Sequence, residues 1–456
     1  MKFDTIAIGS GQAANPLSFA LADLGRKVAL IERAELGGSC INTGCTPTKT
    51  MVASAQVAHY ARDAARWGVR ASDVAVDMPA VVARKNQVVQ NGRKGVQKRI
   101  DARPNVKLIG GQAKFTGPHQ VQVGAELLES EKIFINTGTR PAIPQIPGLD
   151  TVPFLTNATI MELQVVPDHL LVLGGGYIGL EFGQMFRRFG SRVTIVHTGE
   201  RIMPREDPDI ASALQKALEA EGVAFRLNTT TKRVENRNGA IALTVESGGA
   251  TETLQGSHLL VATGRKPNTD NLSLEAAGVV TDARGYVKVN GRMETNVPGI
   301  WALGDVKGGP AFTHISYNDY QIAYANIIEG KNLTIENRYL PYALFTDPQL
   351  GRVGITETEA RTSGRKFKMG TFPMSSVSRA IELGETAGLM KIIVDAQNDR
   401  ILGAAILGSE GGETVQILGA MIWADAPYTV LKGAVYIHPT MAEGFFGLME
   451  SVKPAN

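Results

Sequence analysis

The chain has 456 residues, of which 43% are hydrophobic and 20% are charged, a balance typical of a globular protein with apolar cores. Lys plus Arg exceed Asp plus Glu by only three, so the sequence predicts neither a nucleic-acid partner nor attraction to acidic membranes. The length exceeds what one core supports, and we expect about three domains.

We expect neither a targeting segment nor a membrane span in this chain. Its N-terminus runs directly into the apolar stretch Phe3–Gly9, without the basic region and cleavage site of a secretory signal. No apolar run approaches the roughly 18 residues that a membrane span requires. We therefore expect a cytoplasmic protein that has no membrane partner. The seven histidines are scattered and form no zinc-like cluster with cysteine, so no metal site is predicted.

The first element in chain order is a short buried strand over residues 3–8, followed by a glycine-rich turn and a helix to about Leu24. A second strand, Val28–Glu32, comes next. This pattern is typical of a dinucleotide-binding unit, in which glycines let the backbone approach a pyrophosphate and a terminal acid accepts ribose hydroxyls. Here the acid is Glu32, and the fingerprint positions are Gly9, Gly11 and Ala14.

The only two cysteines, Cys40 and Cys45, lie in the stretch that follows. Residues five apart in an ideal helix have Cα atoms roughly 8 to 9 Å apart, whereas a disulfide needs about 4.4 to 6.8 Å. A bridge therefore requires a bent segment, which Gly44 permits and Pro47 helps to place. A strained disulfide is easily reduced. In a reducing compartment, two cysteines this close in sequence more often form a catalytic pair than a structural disulfide. The alternatives are a structural staple and two unrelated buried thiols.

Helical spacing predicts two long helices, from Met51 to about Trp67 and from Met78 to about Ile100. Short strand-like runs follow at 106–109, 121–123 and 132–136. A cluster of prolines between Pro141 and Pro153 then indicates a linker.

A second fingerprint follows the linker. A strand over 170–173 leads into a turn, a helix over 180–189 and a strand over 192–197, and the turn carries Gly174, Gly176 and Gly179. His197 follows Gly174 by 23 positions, as Glu32 follows Gly9 by 23. A non-acidic residue there, with a nearby Arg, can accept a 2′-phosphate. His197 and Arg201 therefore favour NADPH over NADH, the alternative being that His197 only caps the strand.

The rest of the chain contains a third region. The run His258–Asn268 repeats the pattern of Thr137–Pro141, and Pro298–Asp305 is a short strand ending in an acid. From about Tyr339, strands over 367–374, 389–395 and 401–407 precede helices around 411–425 and 440–452, which predicts an α+β domain with an antiparallel sheet. Within it, Pro439 fixes the backbone beside His438, and Glu443 could orient that imidazole for acid–base work.

In this order the motifs closely resemble the class I pyridine nucleotide-disulfide oxidoreductases across essentially the whole chain. They are GxGxxA at Gly9, GGSCINTGC at Gly37, GGGYIGLE at Gly174, ATGRKPN at Ala262, GD at Asp305 and HPTMAE at His438. The resemblance implies an α/β fold with two Rossmann-like domains, 1–148 with 269–336 for FAD and 149–268 for NAD(P)H. A C-terminal α+β dimerisation domain, 337–456, completes the expected chain.

The resemblance also implies an electron path from NAD(P)H through FAD to a Cys40–Cys45 disulfide. Cys45 would face the flavin and Cys40 would attack a small disulfide or dithiol substrate. His438, supported by Glu443, would come from the other subunit of a homodimer and carry the proton. Lys49 would lie near the flavin and pair with Glu181, and Tyr177 would gate the nicotinamide pocket.

The resemblance assigns the remaining site residues to one of two cofactors. Expected at the FAD are Gly9, Gly11, Ala14, Glu32, Gly38, Ser39, Lys49, Ala113, Thr137, Gly138, Asp305 and Thr313. Expected at NADPH, with NADH as the less favoured nucleotide, are Gly174, Gly176, Tyr177, Gly179, His197, Arg201 and Gly264.

Departures from the family's patterns narrow the substrate. Thr48 separates Pro47 from Lys49, unlike the glutathione reductase pattern, and Tyr436 and His197 depart from the dihydrolipoamide dehydrogenase pattern. No cysteine pair stands near the C-terminus, unlike mercuric reductase or the large thioredoxin reductases. The pattern nearest to this chain is the mercuric-reductase-like branch, whose Arg205–Pro208 motif it shares. We predict a disulfide reductase, with dihydrolipoamide dehydrogenase, a metal-ion reductase and a non-catalytic redox sensor as alternatives.

Overall fold

The computed structural model describes residues 1–336 and 338–455. Asn337 and Asn456, the two ends of the expected third domain, lie outside the described residues. In the first 148 residues the elements are β1 (Thr5–Ile8), α1 (Ala14–Asp23), β2 (Val28–Glu32), α2 (Gly38–Asn42), α3 (Cys45–Asp63), α4 (Met78–Asp101), β3 (Val106–Gly110), β4 (Ala113–Gly117), β5 (Gln120–Val123), β6 (Glu126–Glu129), β7 (Ile133–Ile135) and β8 (Thr139–Pro141).

The second group of elements covers residues 149–328. These are β9 (His169–Leu173), α5 (Tyr177–Phe189), β10 (Arg192–Val196), α6 (Pro208–Ala220), β11 (Val223–Arg226), β12 (Thr230–Arg237), β13 (Ala240–Ser247), β14 (Ala250–Gly256), β15 (His258–Val261), β16 (Arg265–Pro267), β17 (Ile300–Ala302) and α7 (Thr313–Ile328).

Two parallel sheets organise this part of the molecule. The first has the strand order β17-β7-β1-β2-β3 and the second the order β11-β10-β9-β15, and each is accompanied by a three-stranded antiparallel sheet, β4-β5-β6 or β12-β13-β14. All four residues of β1 are buried, because helices and neighbouring structure cover both faces of a parallel sheet. The carboxyl ends of β1 and β9 lead directly into the two glycine turns. These sheets confirm the predicted α/β class with two Rossmann-like units.

The C-terminal elements are β18 (Tyr342–Leu344), β19 (Gln349–Gly354), α8 (Glu357–Thr362), β20 (Phe367–Pro373), α9 (Ser378–Leu383), β21 (Leu389–Asp395), β22 (Ile401–Gly408), α10 (Gly411–Trp423), α11 (Thr429–Lys432), α12 (Phe445–Glu450) and β23 (Lys453–Pro454). The strands form one six-stranded sheet, β18-β19-β22-β21-β20-β23. Every neighbouring pair in it is antiparallel, as the sequence predicted.

Two predicted helices differ from those observed. The helix expected from Met51 begins at Cys45, because Pro47 is tolerated in a first turn, where its missing N–H costs no hydrogen bond. It ends at Asp63, and a single 3-10 turn continues to Trp67. The helix expected over 440–452 is a 3-10 turn, Met441–Gly444, followed by the short α12.

One apolar core fixes α3 against the rest of the molecule. Met51 and Ala55 of α3 share a buried cluster with Leu180 of α5, and the same cluster contains Leu344 and Leu407 of the C-terminal sheet. The helix that begins with Cys45 is thus held between the second parallel sheet and the C-terminal sheet. None of the helices within 1–336 and 338–455 combines the length and apolar character needed to cross a bilayer.

Candidate active site

The first glycine turn packs against the end of β7. Gly9 has φ +98°, and a Cβ there would lie 2.5 Å from the backbone oxygen of Asn136. A Cβ on Gly11 would lie 2.5 Å from Asn136 Oδ1. That side chain accepts a hydrogen bond from Ala14 N at 3.2 Å and donates one to Leu303 O at 2.7 Å. Asn136 therefore joins the turn to the end of β17, a role that sequence reasoning missed although the residue is polar and ends a buried strand.

Glu32 holds the same turn from its other side. Its Oε2 accepts hydrogen bonds from Ser10 N at 3.0 Å and Ser10 Oγ at 2.7 Å, and its Oε1 accepts one from Ala34 N at 2.9 Å. Ser10 Oγ in turn accepts a hydrogen bond from Gly37 N at 3.0 Å. The carboxylate is therefore fixed at the end of β2, and its Oε1, which accepts only one of these hydrogen bonds, can accept another.

The residues around this turn fit a flavin dinucleotide. Gly38 begins α2 so close to the turn that a Cβ on it would lie 2.9 Å from Gly11 Cα. Because neither glycine has a side chain, the backbone of both residues is uncovered. Thr137 Oγ1 is buried without a partner among the described residues, and Thr139 Oγ1 donates to Asp305 Oδ2 at 2.9 Å. A glycine cradle, an unsatisfied hydroxyl and a fixed carboxylate are the groups that a bound pyrophosphate and its attached groups would engage.

Four further residues expected at the FAD take definite places. Gly138, with φ +66°, follows Thr137, and Ser39 lies in α2. Ala113 is the buried first residue of β4, so it would contact a cofactor through its backbone. Thr313 is the first residue of α7.

A break between two helices separates the cysteines. Cys40 lies in α2 and Cys45 is the first residue of α3, with Gly44 between them at φ −126° and ψ −121°. A Cβ on Gly44 would lie 2.8 Å from Ser39 O, so the bend requires glycine. Both cysteines are free thiols in the structure, half-buried at Cys40 and exposed at Cys45. The disulfide between them stays a prediction.

The two thiols differ in acidity. A hydrogen bond from the Cys40 thiol lowers the pKa of Cys45 to about 6, with help from the Thr313 hydroxyl and the charge of Lys49. The Cys45 sulfur lies 3.1 Å from Thr313 Oγ1, at the N-terminus of α7. The same hydrogen bond, which donates the Cys40 proton, raises the pKa of Cys40, as does its burial. At neutral pH the pair therefore holds one negative charge, and it lies on Cys45.

We expect the Cys45 thiolate of the dithiol protein to form with a midpoint near pH 6, because its neighbours stabilise the charged form. The thiolate is present above that midpoint and is lost as the pH falls through it. The measurement is the ultraviolet thiolate absorbance as a function of pH, taken as the difference from Cys45→Ser. Thr313→Val should move the midpoint upward, and a wild-type midpoint at the ordinary thiol value of about 8.5 would contradict the expectation.

Lys49 joins the cysteine helix to the second parallel sheet. Its Nζ lies 2.9 and 2.7 Å from the two carboxylate oxygens of Glu181 in α5. Phe345 N donates to Glu181 Oε1 at 2.9 Å, and the Phe345 ring lies 4.7 Å from Lys49 Nζ. The pairing of Lys49 with Glu181 that the resemblance implied is thus present as an ion pair, and it fixes the ammonium group one helical turn after Cys45.

The second glycine turn is built like the first. Gly174 has φ +115°, and a Cβ on it would lie 2.4 Å from Ala262 O, while a Cβ on Gly179 would lie 2.0 Å from Gly174 O. Gly176 has open space at its Cβ position, which leaves its backbone accessible to a ligand. Gly264, with φ +142°, follows the neighbouring strand β15.

His197 replaces the acid at the end of the second unit. Its Nδ1 accepts a hydrogen bond from Gly175 N at 3.3 Å, and burial lowers the pKa of His197, so the ring is neutral. Its Nε2 and the Nε of Arg201 are buried without partners among the described residues. Arg201 Nη1 pairs with Glu200 at 2.8 Å. The end of β10 therefore presents nitrogen donors where Glu32 presents a carboxylate in the first unit.

Tyr177 begins α5 and belongs to an aromatic cluster. Its ring meets the rings of Phe312 and Tyr342 edge-on at 5.9 and 5.7 Å, and those two rings stack at 5.4 Å. Burial raises the pKa of Tyr177 to about 12, so its hydroxyl stays protonated at neutral pH. The cluster lies between the second glycine turn and the N-terminus of α7, next to Thr313.

His438 and Glu443 form a hydrogen-bonded pair on the surface. His438 Nδ1 lies 2.9 and 3.0 Å from the two Glu443 oxygens, with 67% of the His438 side chain exposed. Ile437 beside it is 78% exposed and Val435 is 97% exposed. The predicted dyad is therefore assembled within one chain, in a segment whose apolar neighbours have no cover from that chain. Residues 1–336 and 338–455 contain no cluster of three or more His, Cys, Asp and Glu able to hold a metal ion.

Comparison with known proteins gives the family. Residues 3–319 match the pyridine nucleotide-disulphide oxidoreductase model and residues 340–447 match the dimerisation domain of that family. The chain is 38% identical over 460 residues to the probable pyridine nucleotide-disulfide oxidoreductase RclA of Escherichia coli, covering 99% of this chain and 100% of that protein. The chain belongs to the pyridine nucleotide-disulfide oxidoreductases.

Other relatives carry related activities. The chain is 35% identical to the mercuric reductase of Lysinibacillus sphaericus, covering 97% of this chain and 81% of that protein. It is 36% identical to the dihydrolipoyl dehydrogenase of Thermus scotoductus, covering 99% of this chain and 97% of that protein. The solved structure of the HOCl-induced flavoprotein disulfide reductase RclA from Escherichia coli superposes with a TM-score of 0.90 at 38% identity, covering 99% and 100%. Its Cu(II) complex superposes equally well, at 0.90. The chain is a flavoprotein disulfide reductase that uses FAD and a pyridine nucleotide.

Proposed function

We propose that the protein uses NADPH to reduce a small disulfide through the Cys40–Cys45 pair. The observation that carries this proposal is the placement of the Cys45 sulfur at the start of α3, 3.1 Å from Thr313 Oγ1, where Cys40, Thr313 and Lys49 lower the pKa of Cys45. Bound FAD would accept the hydride of the nicotinamide and deliver two electrons to the cysteine pair. The chain's own residues then carry out the thiol chemistry.

In the second half of the reaction, Cys40 attacks one sulfur of the substrate disulfide and releases the first substrate thiol. Cys45 attacks the Cys40 sulfur of this mixed disulfide, which releases the second thiol and forms the Cys40–Cys45 disulfide. Because the pKa of Cys40 is raised, its attack needs a base. We assign this role to His438 of a second copy of the chain, held by Glu443, which takes the Cys40 proton and gives it to the leaving thiol.

The two parallel sheets and the C-terminal sheet support a division of the chain into three domains. We propose that residues 1–148 and 269–336 bind FAD, that 149–268 bind the nicotinamide nucleotide, and that 337–456 form a homodimer interface with a shared active site. The exposure of Ile437 and His438 supports a second copy over this segment, because apolar side chains beside a functional pair indicate an interface. A cytoplasmic location agrees with this chemistry, since the cytoplasm supplies NADPH and disulfides there are reduced.

The preference for NADPH rests on His197 and Arg201. The neutral imidazole adds no negative charge at the end of β10, and Arg201 is the nearby cation that a 2′-phosphate requires. We expect His197→Glu to shift the ratio of kcat/KM values toward NADH by about tenfold or more, because a carboxylate repels the phosphate and accepts ribose hydroxyls. Steady-state kinetics with both nucleotides measures the ratio.

The matched control for that substitution is His169→Glu. His169 lies in the same sheet, at the opposite end of β9, where its Nε2 is 2.9 Å from Thr194 Oγ1. This variant should keep the wild-type preference. An unchanged preference in His197→Glu would show that this residue does not choose the nucleotide.

The experiment that tests the proposed function is an anaerobic titration of the purified yellow protein, first with NADPH and then with NADH. The expected result is a long-wavelength band from charge transfer between the Cys45 thiolate and the flavin. NADPH should produce this band at a lower concentration than NADH does. A panel of small disulfides then follows, with lipoamide included. Turnover of lipoamide with NAD would instead identify a dihydrolipoamide dehydrogenase, and a single turnover with every disulfide would indicate a redox sensor.

Metal-ion reduction is the second candidate function. It is favoured by the mercuric reductases among the relatives and by the Cu(II) complex of RclA. In this chain such an ion would be a substrate of Cys40 and Cys45. NADPH oxidation that depends on a mercuric or cupric ion, and that Cys40→Ala abolishes, would support this activity.

A further inference from the structure

The Arg205–Pro208 motif builds a buried ion-pair cluster between the second parallel sheet and the C-terminal sheet. Its acids are Glu206, which is 2% exposed, and Asp207, which is fully buried. Their partners are Arg352 of β19 and Lys391 of β21, each 1% exposed. Groups this deeply buried and this far apart in sequence fix the two sheets at one relative position.

The contacts in this cluster are direct. Arg352 Nε donates to Glu206 Oε2 at 2.8 Å and Arg352 Nη2 donates to Asp207 Oδ2 at 3.1 Å. Lys391 Nζ lies 3.6 Å from Asp207 Oδ2 and 2.5 Å from Glu357 Oε2. Both oxygens of Asp207 also accept backbone hydrogen bonds from the start of α8, each at 3.1 Å. Glu206 is therefore held rigidly, and its Oε1 atom remains available for a different partner.

That partner is Tyr342, whose hydroxyl donates a hydrogen bond to Glu206 Oε1. On its other side Tyr342 contacts Tyr177 of the proposed nucleotide site, and the two rings meet edge-on at 5.7 Å and an interplanar angle of 85°. Tyr342 also stacks on Phe312, next to the helix N-terminus that contacts Cys45. The orientation of Tyr177 is thus linked through one phenol ring to the buried Glu206.

A second, backbone connection joins the cluster to the glycine turn. Met203 N donates to Gly175 O at 3.0 Å, and Glu206 N donates to Met203 O at 2.8 Å. Met203 has φ +48°, a left-handed conformation that is uncommon for a residue with a side chain. The segment that carries Glu206 is therefore fixed to the turn that would receive the nucleotide pyrophosphate.

We propose that Glu206 and Tyr342 are positioning residues of the nicotinamide site: the Glu206 carboxylate, anchored by Arg352, holds the Tyr342 hydroxyl, and the Tyr342 ring holds Tyr177. The inference rests on the proposed function in that it takes Tyr177 as the residue beside the nicotinamide. It assigns a part in nucleotide binding to Tyr342 of the C-terminal sheet and to Glu206, neither of which belongs to a fingerprint.

The test is Tyr342→Phe in the FAD-loaded protein, which removes the hydroxyl and retains the ring. We expect the Kd for NADP⁺, measured by titration calorimetry, to rise about threefold to tenfold, and flavin reduction by NADPH to slow by a similar factor. The rate at which the prereduced protein reduces a disulfide should not change, because Cys40 and Cys45 are untouched. Glu206→Gln, which keeps the side-chain volume, is a second variant and should act in the same direction.

The matched control is Tyr60→Phe. The Tyr60 hydroxyl also donates to a glutamate of the C-terminal region, Glu385, at 2.5 Å, and it too is half-buried between α3 and that region. Loss of that hydrogen bond should lower thermal stability about as much as Tyr342→Phe and leave nucleotide binding unchanged. If the role of Tyr342 were purely structural, Tyr342→Phe and Tyr60→Phe would both lower thermal stability and both leave the Kd for NADP⁺ unchanged.

A double-mutant cycle shows whether Tyr342 acts through Tyr177. In a Tyr177→Ala background, Tyr342→Phe should have no further effect on the Kd for NADP⁺. Wild-type affinity and flavin reduction in Tyr342→Phe, or an undiminished effect in the Tyr177→Ala background, would overturn the inference while leaving the proposed function intact. A wild-type flavin that neither NADPH nor NADH reduces would overturn both.

Discussion

Cys45→Ser should lose the long-wavelength band and disulfide turnover together, with turnover falling about a thousandfold or more. The physical reason is that Cys45 is the thiol that holds the negative charge at neutral pH, and serine supplies neither that charge nor a redox-active sulfur. Flavin reduction by NADPH should persist, because Gly174, Tyr177 and the rest of the proposed nucleotide site remain. Anaerobic stopped-flow spectroscopy separates these two steps.

Cys40→Ser is the matched control, since it removes the other thiol by the same substitution. It should also abolish disulfide turnover, yet retain a band from the Cys45 thiolate. Cys40→Ala removes the hydrogen-bond donor that serine would retain, so it should raise the pKa of Cys45, and its band should need a higher pH than in the wild type. Full disulfide reduction by Cys45→Ser would refute the proposed function.

Asp207→Asn should destabilise the protein by about 3 to 5 kcal/mol, because it removes one carboxylate from a buried cluster and leaves the charges of Arg352 and Lys391 undercompensated. For a chain of this size that is a fall in Tm of about 3 to 5 °C, measured by calorimetry of the FAD-loaded protein. Asparagine is close to aspartate in volume, so the loss reports the charge and its hydrogen bonds.

Asp209→Asn is the control for Asp207→Asn. Asp209 pairs with the same Lys391 at 2.9 Å, but its side chain is 44% exposed, so its loss should cost at most about 1 kcal/mol. Equal losses of stability in Asp207→Asn and Asp209→Asn would contradict the expectation that the buried carboxylate contributes more than the exposed one.

The stabilisation from Asp207 should also depend on pH. Burial alone would raise the pKa of Asp207, but the charges of Arg352 and Lys391 and two backbone hydrogen bonds lower it. A lowered carboxyl pKa contributes stability that is complete above the unfolded value of about 3.9 and is lost as the pH falls below it. The Tm difference between wild type and Asp207→Asn should therefore be constant near neutrality and shrink in acid.

Much of the fold could be predicted because the strands of the two Rossmann-like units are short, apolar runs that end at glycine turns. The strand Val28–Glu32 was predicted with the bounds that the structure has, since it is buried and its neighbours are polar. The antiparallel sheet β12-β13-β14 was not predicted, because most residues of β12 are exposed and supply little apolar periodicity. The early start of α3 was missed because its first turn, Cys45–Thr48, lacks an apolar face.

The candidate site was predictable where function requires a local pattern. The glycine turns, the cysteine pair and the His438–Glu443 spacing each lie within a few residues of sequence. Contacts between distant segments give no such signal: Thr313 beside Cys45, Asn136 beside Gly11 and Arg352 beside Glu206 depend on how the sheets pack. Nothing in the sequence around Arg352 and Lys391 indicates that these side chains are buried, since Arg and Lys are usually exposed.

The position of β17 at the edge of the first parallel sheet has a consequence for biosynthesis. Residues Ile300–Ala302 pair with Ile133–Ile135, so the ribosome must release the whole of the second sheet, which ends at Val261, before the first sheet can gain its last strand. The Asn136 side chain likewise cannot donate its hydrogen bond to Leu303 O until Leu303 has been synthesised. Although it is encoded later, the second parallel sheet is therefore the first of the two that can be completed on the emerging chain.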